Sequence, residues 1–221
     1  MVRGRAAGAR PPRPVTSGAD RRRHWDRVFE ERGPTGVSWH ERSPRMSLEM
    51  IDLTGTGPDE AALDVGGGAS PLAGALLARG FGDLTVLDLS EVALLASRAR
   101  LGPAGARVHW VHADVLDWIP DRTYGLWHDR AVFHFLVDAE ARERYVTTAW
   151  SAVRPGGHAV VGTFADDGPA TCSGLPVARY GAGALADAFG AGFAVVGSRR
   201  DDHRTPGGSV QTFTWMAMRR R

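Results

Sequence analysis

The stretch Asp64-Val65-Gly66-Gly67-Gly68-Ala69-Ser70 decides how this chain of 221 residues folds. It follows an apolar run that begins at Ala61 and precedes Pro71 to Arg79, which reads as a helix with Ser70 as N-cap and Pro71 in the first turn. A buried strand, a glycine turn and a helix in that order bring the main chain close to a ligand beside the electropositive helix N-terminus. The same turn also serves as a tight connection that holds nothing. Position 71 is Pro, so the G-x-G-x-x-G fingerprint is incomplete and a dinucleotide diphosphate is disfavoured. Asp64 would sit badly against a diphosphate, yet it can meet the ammonium group of an amino-acid moiety.

Outward from this turn, apolar runs alternate with helical stretches. Strands are predicted at Leu84 to Leu87, Val108 to Val111, Gly125 to His128 and His158 to Phe164. Helices are predicted from Ser90, as N-cap, to Arg100 and over Ala139 to Val153. Pro155-Gly156-Gly157 reads as a turn. That alternation argues for a parallel sheet covered on both faces. Near the end, a short helix at Gly183 to Phe189 precedes strands at Phe193 to Arg199 and Thr212 to Met218. Their short connection makes them antiparallel, because a parallel pair needs a long crossover. The expected fold is therefore α/β: a Rossmann-like, doubly wound, seven-stranded sheet, mostly parallel with an antiparallel last strand.

Three acids fall at the ends of successive strands. Asp64 closes the first strand, Asp88 the second, and Asp114 follows the third. Ligands of open α/β sheets lie outside the carboxyl ends of the strands. A carboxylate at Asp88 can accept both hydroxyls of a ribose, or it can cap the following helix. Asp114 can accept from an adenine amino group, or be an ordinary surface acid. Together the three point to a nucleoside joined to an amino acid.

The run Asp64 to Ser70, then Asp88, Ala113-Asp114, Asp129 and Arg154-Pro155-Gly156-Gly157, resembles the class I S-adenosylmethionine-dependent methyltransferases over roughly Ala61 to Phe164. His24-Trp25-Asp26 with Val37-Ser38-Trp39 looks like a small bacterial subgroup of that family. The chain departs at Ala69-Ser70, where many members carry another glycine. The resemblance implies S-adenosylmethionine as cofactor. It implies that Asp64, Gly66 and Gly68 line the methionine part, that Asp88 binds the ribose and that Leu89 packs on the adenine. Asp114 and Val115 would read the adenine edge, and Asp129 would lie near the methionine end.

The methyl acceptor is open. A neutral amine or alcohol must lose a proton, so a general base helps. His134 and His128 are the candidates, with Arg130 between them as a clamp for an acidic substrate or a partner of Asp129 or Asp138. Each histidine can equally be structural. Trp39 and His40 can close the pocket or pack in the core. Arg45, Cys172, Tyr180 and His203 are weaker candidates. No metal-ligand spacing is present, so no metal is expected.

Composition narrows the function classes. All 27 basic residues are arginine, which excludes Schiff-base and P-loop lysine chemistry. Seven of them, and one of the 25 acids, lie in the first 23 residues, so the remainder carries 20 arginines against 24 acids. A basic groove for nucleic acid is not indicated. No apolar run spans a bilayer, and Cys172 is the single cysteine, which fits a reducing, cytoplasmic setting. Residues 1–23 are expected to be a disordered Arg/Pro-rich tail, and residues 24–221 a methyltransferase domain whose segment 24–57 forms a lid. A small-molecule acceptor is the leading expectation. A protein side chain, a non-catalytic S-adenosylmethionine-binding module and a nicotinamide-dependent oxidoreductase are the alternatives.

Overall fold

The computed structural model describes residues 17–221. The expectation of disorder over 1–23 therefore lies largely outside the described residues, but not at its end. Helix α1 runs from Gly18 to Arg32. Ser17 caps it by accepting from Asp20 N at 3.1 Å, while Asp20 in the first turn and Arg32 in the last suit the helix dipole. The arginine run 21–23 is thus helical. Its local charge hid a cap and a turn that only the whole helix satisfies.

Helix α2 spans Arg45–Thr54 with Pro44 at its N-cap and no side-chain cap bond. Strand β1 (Ala62–Val65) leads through the glycine turn to α3 (Leu72–Ala78). Ser70 Oγ accepts from Leu72 N at 3.1 Å. Strand β2 (Leu84–Asp88) leads to α4 (Glu91–Leu101), capped by Ser90, which accepts from Ala93 N at 3.2 Å. Strands β3 (Val108–His112) and β4 (Tyr124–Arg130) follow, then α5 (Ala139–Ala152) and β5 (Val153–Phe164). The Pro155-Gly156-Gly157 stretch, read as a turn, lies inside β5, where the pairing with β4 shifts register between Tyr124 and Leu126. A small hairpin, β6 (Thr171–Cys172) and β7 (Leu175–Pro176), precedes α6 (Ala182–Phe189), β8 (Phe193–Arg204) and β9 (Val210–Arg220).

The main sheet has seven strands in the order β3-β2-β1-β4-β5-β9-β8. Strands β1 to β5 pair in parallel, and β9 runs antiparallel to both β5 and β8. The expected sheet and its reversed strand are both present. The chain order reverses between β1 and β4, which opens a crevice at their carboxyl ends.

Side-chain alternation splits the core into two layers. Leu63, Val65, Trp127, Ala159 and Val161 face Tyr145 of α5 and Leu185 of α6. Ala62, Leu126, Val160 and Trp215 face the opposite layer, with Met46 and Met50 of α2 and Leu72 and Leu76 of α3. Among the described residues no helix is long and apolar enough to cross a membrane.

Candidate functional site

One cavity of ≈ 140 Å³ lies over the carboxyl ends of β1, β2, β3 and β4. Its floor is the glycine turn. Gly66 has φ 65° and stands against the Val132 side chain. A Cβ on Gly67 would overlap the Asp64 carboxylate, with Val86 Cγ1 at 2.9 Å. A Cβ on Gly68 would stand 2.5 Å from Asp88 Oδ2. The turn is therefore glycine because the two acids pack directly against its backbone. Arg100 of α4, which the sequence did not flag, ties the end of the turn by donating to Ala69 O at 2.7 Å and Ser70 O at 2.5 Å.

The cavity receives Asp64, Asp88, Leu89, Asp114 and Val115 together, as expected from their strand-end positions. Asp88 is buried, and one of its oxygens accepts from Ser90 N at 2.7 Å. Asp88 supports the α4 cap and also lines the pocket. Burial pushes its carboxyl up to about 7, against the opposing pull of the Ser90 N–H. Asp114 has neither oxygen free. Oδ1 accepts from Leu116 N at 3.0 Å, and Oδ2 accepts from Arg21 Nη2 at 2.6 Å. A second tether joins α1 to the same edge, where Ser90 Oγ donates to Asp26 Oδ1 at 2.7 Å. Helix α1 is thus a cover over the crevice, with Trp25 and Phe29 on the pocket wall.

At the centre, Asp64 and His128 are register partners in the parallel pair β1–β4, so their side chains project to the same face. His128 Nδ1 and Asp64 Oδ1 are 2.7 Å apart, and both side chains are at most 3 % exposed. A carboxylate only accepts, so the imidazole donates from Nδ1. His128 Nε2 and Asp64 Oδ2 are both buried without a hydrogen-bond partner. Buried polar atoms without partners are rare, and two on register partners of one strand pair call for an explanation.

Alternation along β4 separates the remaining candidates. His128 and Arg130 face the cavity, whereas Asp129, one residue out of phase, faces the α5 layer. Its oxygens accept from Val132 N at 2.8 Å, from Phe133 N at 3.0 Å and from the Tyr145 hydroxyl. Burial raises its carboxyl to about 6. Asp129 does not line the pocket. It fixes the turn after β4, where Ala131 adopts φ 70°, and this replaces the expected place at the methionine end. His134 is corrected in the same way. It is fully buried beside Phe135 and Phe164, is not among the residues that line the cavity, and its Nδ1 accepts from Phe164 N at 3.3 Å. Burial and the charge of Arg130 push its imidazole down to about 3. A ring so placed neither meets an acceptor nor carries a proton at neutral pH. Gly68 lies behind the lining residues, under Asp88, rather than on the wall.

Arg130 pairs with neither Asp129 nor Asp138. It donates to Trp39 O at 2.9 Å, and its Nη2 stands 3.7 Å from Glu41 Oε2. Glu41 was missed because an isolated acid in an irregular stretch carries no periodic signal. Burial raises its carboxyl, opposed by Arg130. Trp39, His40 and Cys172 line the cavity. Burial raises the Cys172 thiol to about 11, so it is not a thiolate nucleophile. Arg45 pairs with Glu49 and Asp201, Tyr180 packs on Phe133, and His203 Nε2 lies 2.9 Å from Ser38 O. None of these three lines the cavity. Among the described residues, no cluster of three His, Cys, Asp or Glu side chains is placed to hold a metal ion.

The family model of the methyltransferase domain matches residues 62–157, the span that contains the glycine turn, all three acids and His128. The match to the methyltransferase-domain model covers these residues, and the sheet around them has the class I fold. No curated protein matches the sequence. A SAM-dependent methyltransferase from Anabaena variabilis has a TM-score of 0.71 at 14 % identity, covering 99 % of this chain and all of the neighbour. A 1,6-didemethyltoxoflavin N1-methyltransferase from Burkholderia thailandensis, solved with its substrate and S-adenosylhomocysteine, has a TM-score of 0.65 at 20 % identity. It covers 95 % of this chain and 92 % of the neighbour. The [4+2]-cyclase SpnF has a TM-score of 0.71 at 16 % identity, covering 94 % and 98 %. Likeness at these identities establishes the methyltransferase fold and leaves the reaction to the site itself.

Proposed function

We propose that the chain transfers the methyl group of S-adenosylmethionine to a small-molecule acceptor. The observation that carries this reading is the convergence of Asp64, Asp88 and Asp114 on one covered cavity beside the glycine turn. The residues fit that cofactor. Asp64 Oδ2 is buried and without a partner, in place to accept from an ammonium group. Asp88 presents a carboxylate for ribose hydroxyls, Leu89 and Val115 offer apolar contact, and Asp114 suits an amino group once Arg21 withdraws. Ligand pockets commonly occupy ~300–1,000 Å³, so the smaller space here is that of a pocket with α1 seated on it.

When bound, the cofactor supplies a methyl carbon already activated by its sulfonium. The protein's part is then to orient the acceptor, exclude water and remove a proton. His128 is the residue for the last task. Asp64 holds its Nδ1–H, and in the neutral ring Nε2 is left as a buried acceptor. The cover formed by α1, Trp39 and Phe135 suits a small acceptor better than a protein side chain. The cyclase neighbour favours keeping a non-methylating, cofactor-holding role as the second reading.

Calorimetric titration with S-adenosylmethionine, S-adenosylhomocysteine and NAD tests the first step. We expect saturable binding of the first two and none of NAD; the reverse pattern removes this reading in favour of an oxidoreductase. Labelled S-adenosylmethionine with fractionated cell extract tests the second. Label in small molecules supports the proposal, label on protein bands refutes the acceptor class, and binding without any label supports the non-catalytic role.

A further inference from the structure

The cavity has a second polar centre that cofactor binding and proton removal leave unused. Glu41 and Arg130 sit on its wall, with side chains 17 % and 12 % exposed. Their Oε2–Nη2 separation of 3.7 Å is too long for a hydrogen bond. Arg130 spends one donor on Trp39 O and keeps others unspent. Glu41 Oε1 is buried and has no partner. A buried charge pair held just out of contact, with a bare acceptor on one side and spare donors on the other, is costly unless something completes it. Around it stand aromatic rings. Trp25 meets Trp39 edge-on at 5.7 Å and Phe135 at 4.9 Å, and all three line the cavity.

The pair also limits what can enter. An anionic acceptor would face Glu41, and a cationic one would face Arg130; like charges in a dry site disfavour both. A neutral molecule with a donor and an acceptor side by side on one edge satisfies both residues at once. The aromatic corner calls for a flat, apolar body. We propose that the acceptor is a small, uncharged, flat aromatic lactam or imide, whose N–H donates to Glu41 and whose adjacent carbonyl accepts from Arg130. This rests on the methyl-transfer reading of the pocket and adds the substrate class. Glu41 and Arg130 are then specificity-determining contacts, tied to the aromatic wall through the bond from Arg130 to Trp39 O.

The test uses the intact protein saturated with S-adenosylhomocysteine and four probes: oxindole, N-methyloxindole, benzoate and benzylamine. Binding is read by calorimetry and by quenching of tryptophan fluorescence. Oxindole is expected to bind about tenfold tighter than N-methyloxindole, the weight of one well-placed hydrogen bond to a charged group. Benzoate and benzylamine are expected to bind more weakly than oxindole. Glu41→Leu is expected to bring the oxindole to N-methyloxindole ratio close to one while S-adenosylhomocysteine still binds. If Glu41→Leu fails to fold, Glu41→Gln and the wild-type ratio decide. Equal binding of oxindole and its N-methyl form, a preference for either charged probe, or no binding of oxindole overturns the proposal. Absence of S-adenosylhomocysteine binding instead overturns the methyl-transfer reading beneath it, so the two failures are distinguishable.

Discussion

Replacing His128 by Asn probes the centre of the site with little disturbance to the fold. The Asn amide nitrogen falls close to where imidazole Nδ1 stands, so the donor to Asp64 Oδ1, now 2.7 Å away, has a successor. Asp64 is not left as an unpaired buried charge, which would cost ~3–5 kcal/mol. What disappears is Nε2 and the outer part of a ring that lies 6.0 Å from Trp215, centroid to centroid. Losing a few buried atoms in that layer costs ~1–2 kcal/mol of stability. A thermal melt should register this as a modest downward shift in Tm. Loss of a positioned general base lowers turnover by ~10²–10⁴-fold. The assay is the initial rate of label transfer from S-adenosylmethionine into the small-molecule fraction of cell extract, alongside calorimetry with S-adenosylhomocysteine. The expected pattern is a collapsed rate with cofactor affinity changed by less than about threefold, since no cofactor contact is assigned to Nε2. A rate within about tenfold of wild type would refute the assignment of proton removal to Nε2. Loss of cofactor binding in a folded protein would instead make the Asp64–His128 pair part of the cofactor site.

Other outcomes follow from the same geometry. Because burial holds the Asp88 carboxyl up to about 7, and donated ribose hydroxyls favour its ionised form, S-adenosylhomocysteine affinity should rise as pH climbs through about 7 and level off above it. Asp88→Asn should weaken binding by ~1–3 kcal/mol and flatten that pH dependence; a flat wild-type profile would contradict it. His134 is neutral in the fold, with its imidazole pushed down to about 3, whereas the unfolded chain takes up a proton below about pH 6.5. Its contribution to stability is therefore full above about pH 6.5 and is lost as pH falls toward 3, by about 2 kcal/mol at pH 5. His134→Gln should shrink the drop in Tm between pH 7 and 5, and should leave the methyl-transfer pH profile in place. Arg21→Ala should free Asp114 Oδ2 and tighten S-adenosylhomocysteine binding by up to about fivefold, the range of a partly exposed ion pair; weaker binding would show instead that α1 must stay seated. Gly67→Ala, whose Cβ would meet Asp64 and stand 2.9 Å from Val86, should lower stability by ~1–3 kcal/mol and abolish cofactor binding, read by melting and calorimetry.

The glycine turn and the strand-end acids were legible in the sequence because each is a local statement. Asp64 to Ser70 needs only its own strand and helix to be read, and Asp88 and Asp114 need only the rule that strands end at the crevice. The reversed strand was legible from the short link between β8 and β9. The choice between His128 and His134 was not. Both lie near the end of the same strand, but His128 is within β4 and in register with Asp64, while His134 is past the strand and turned into the core. Asp129 failed for a related reason: pleating sends alternate residues to opposite faces, and the phase of β4 is set by Trp127 packing on Tyr145.

By itself, then, the sequence determined the α/β sheet, its glycine turn and the chemistry expected at three strand ends, since periodicity and turn residues act over a few neighbours. Only the tertiary structure decided what covers the crevice and what shares it. The pairing of Arg21 with Asp114, of His128 with Asp64 and of Arg130 with Glu41 joins residues 93, 64 and 89 positions apart along the chain. Contacts at such separations leave no local pattern. They come into being when the sheet brings distant segments to one edge, where burial makes a single unpartnered oxygen or nitrogen costly enough to mark the site.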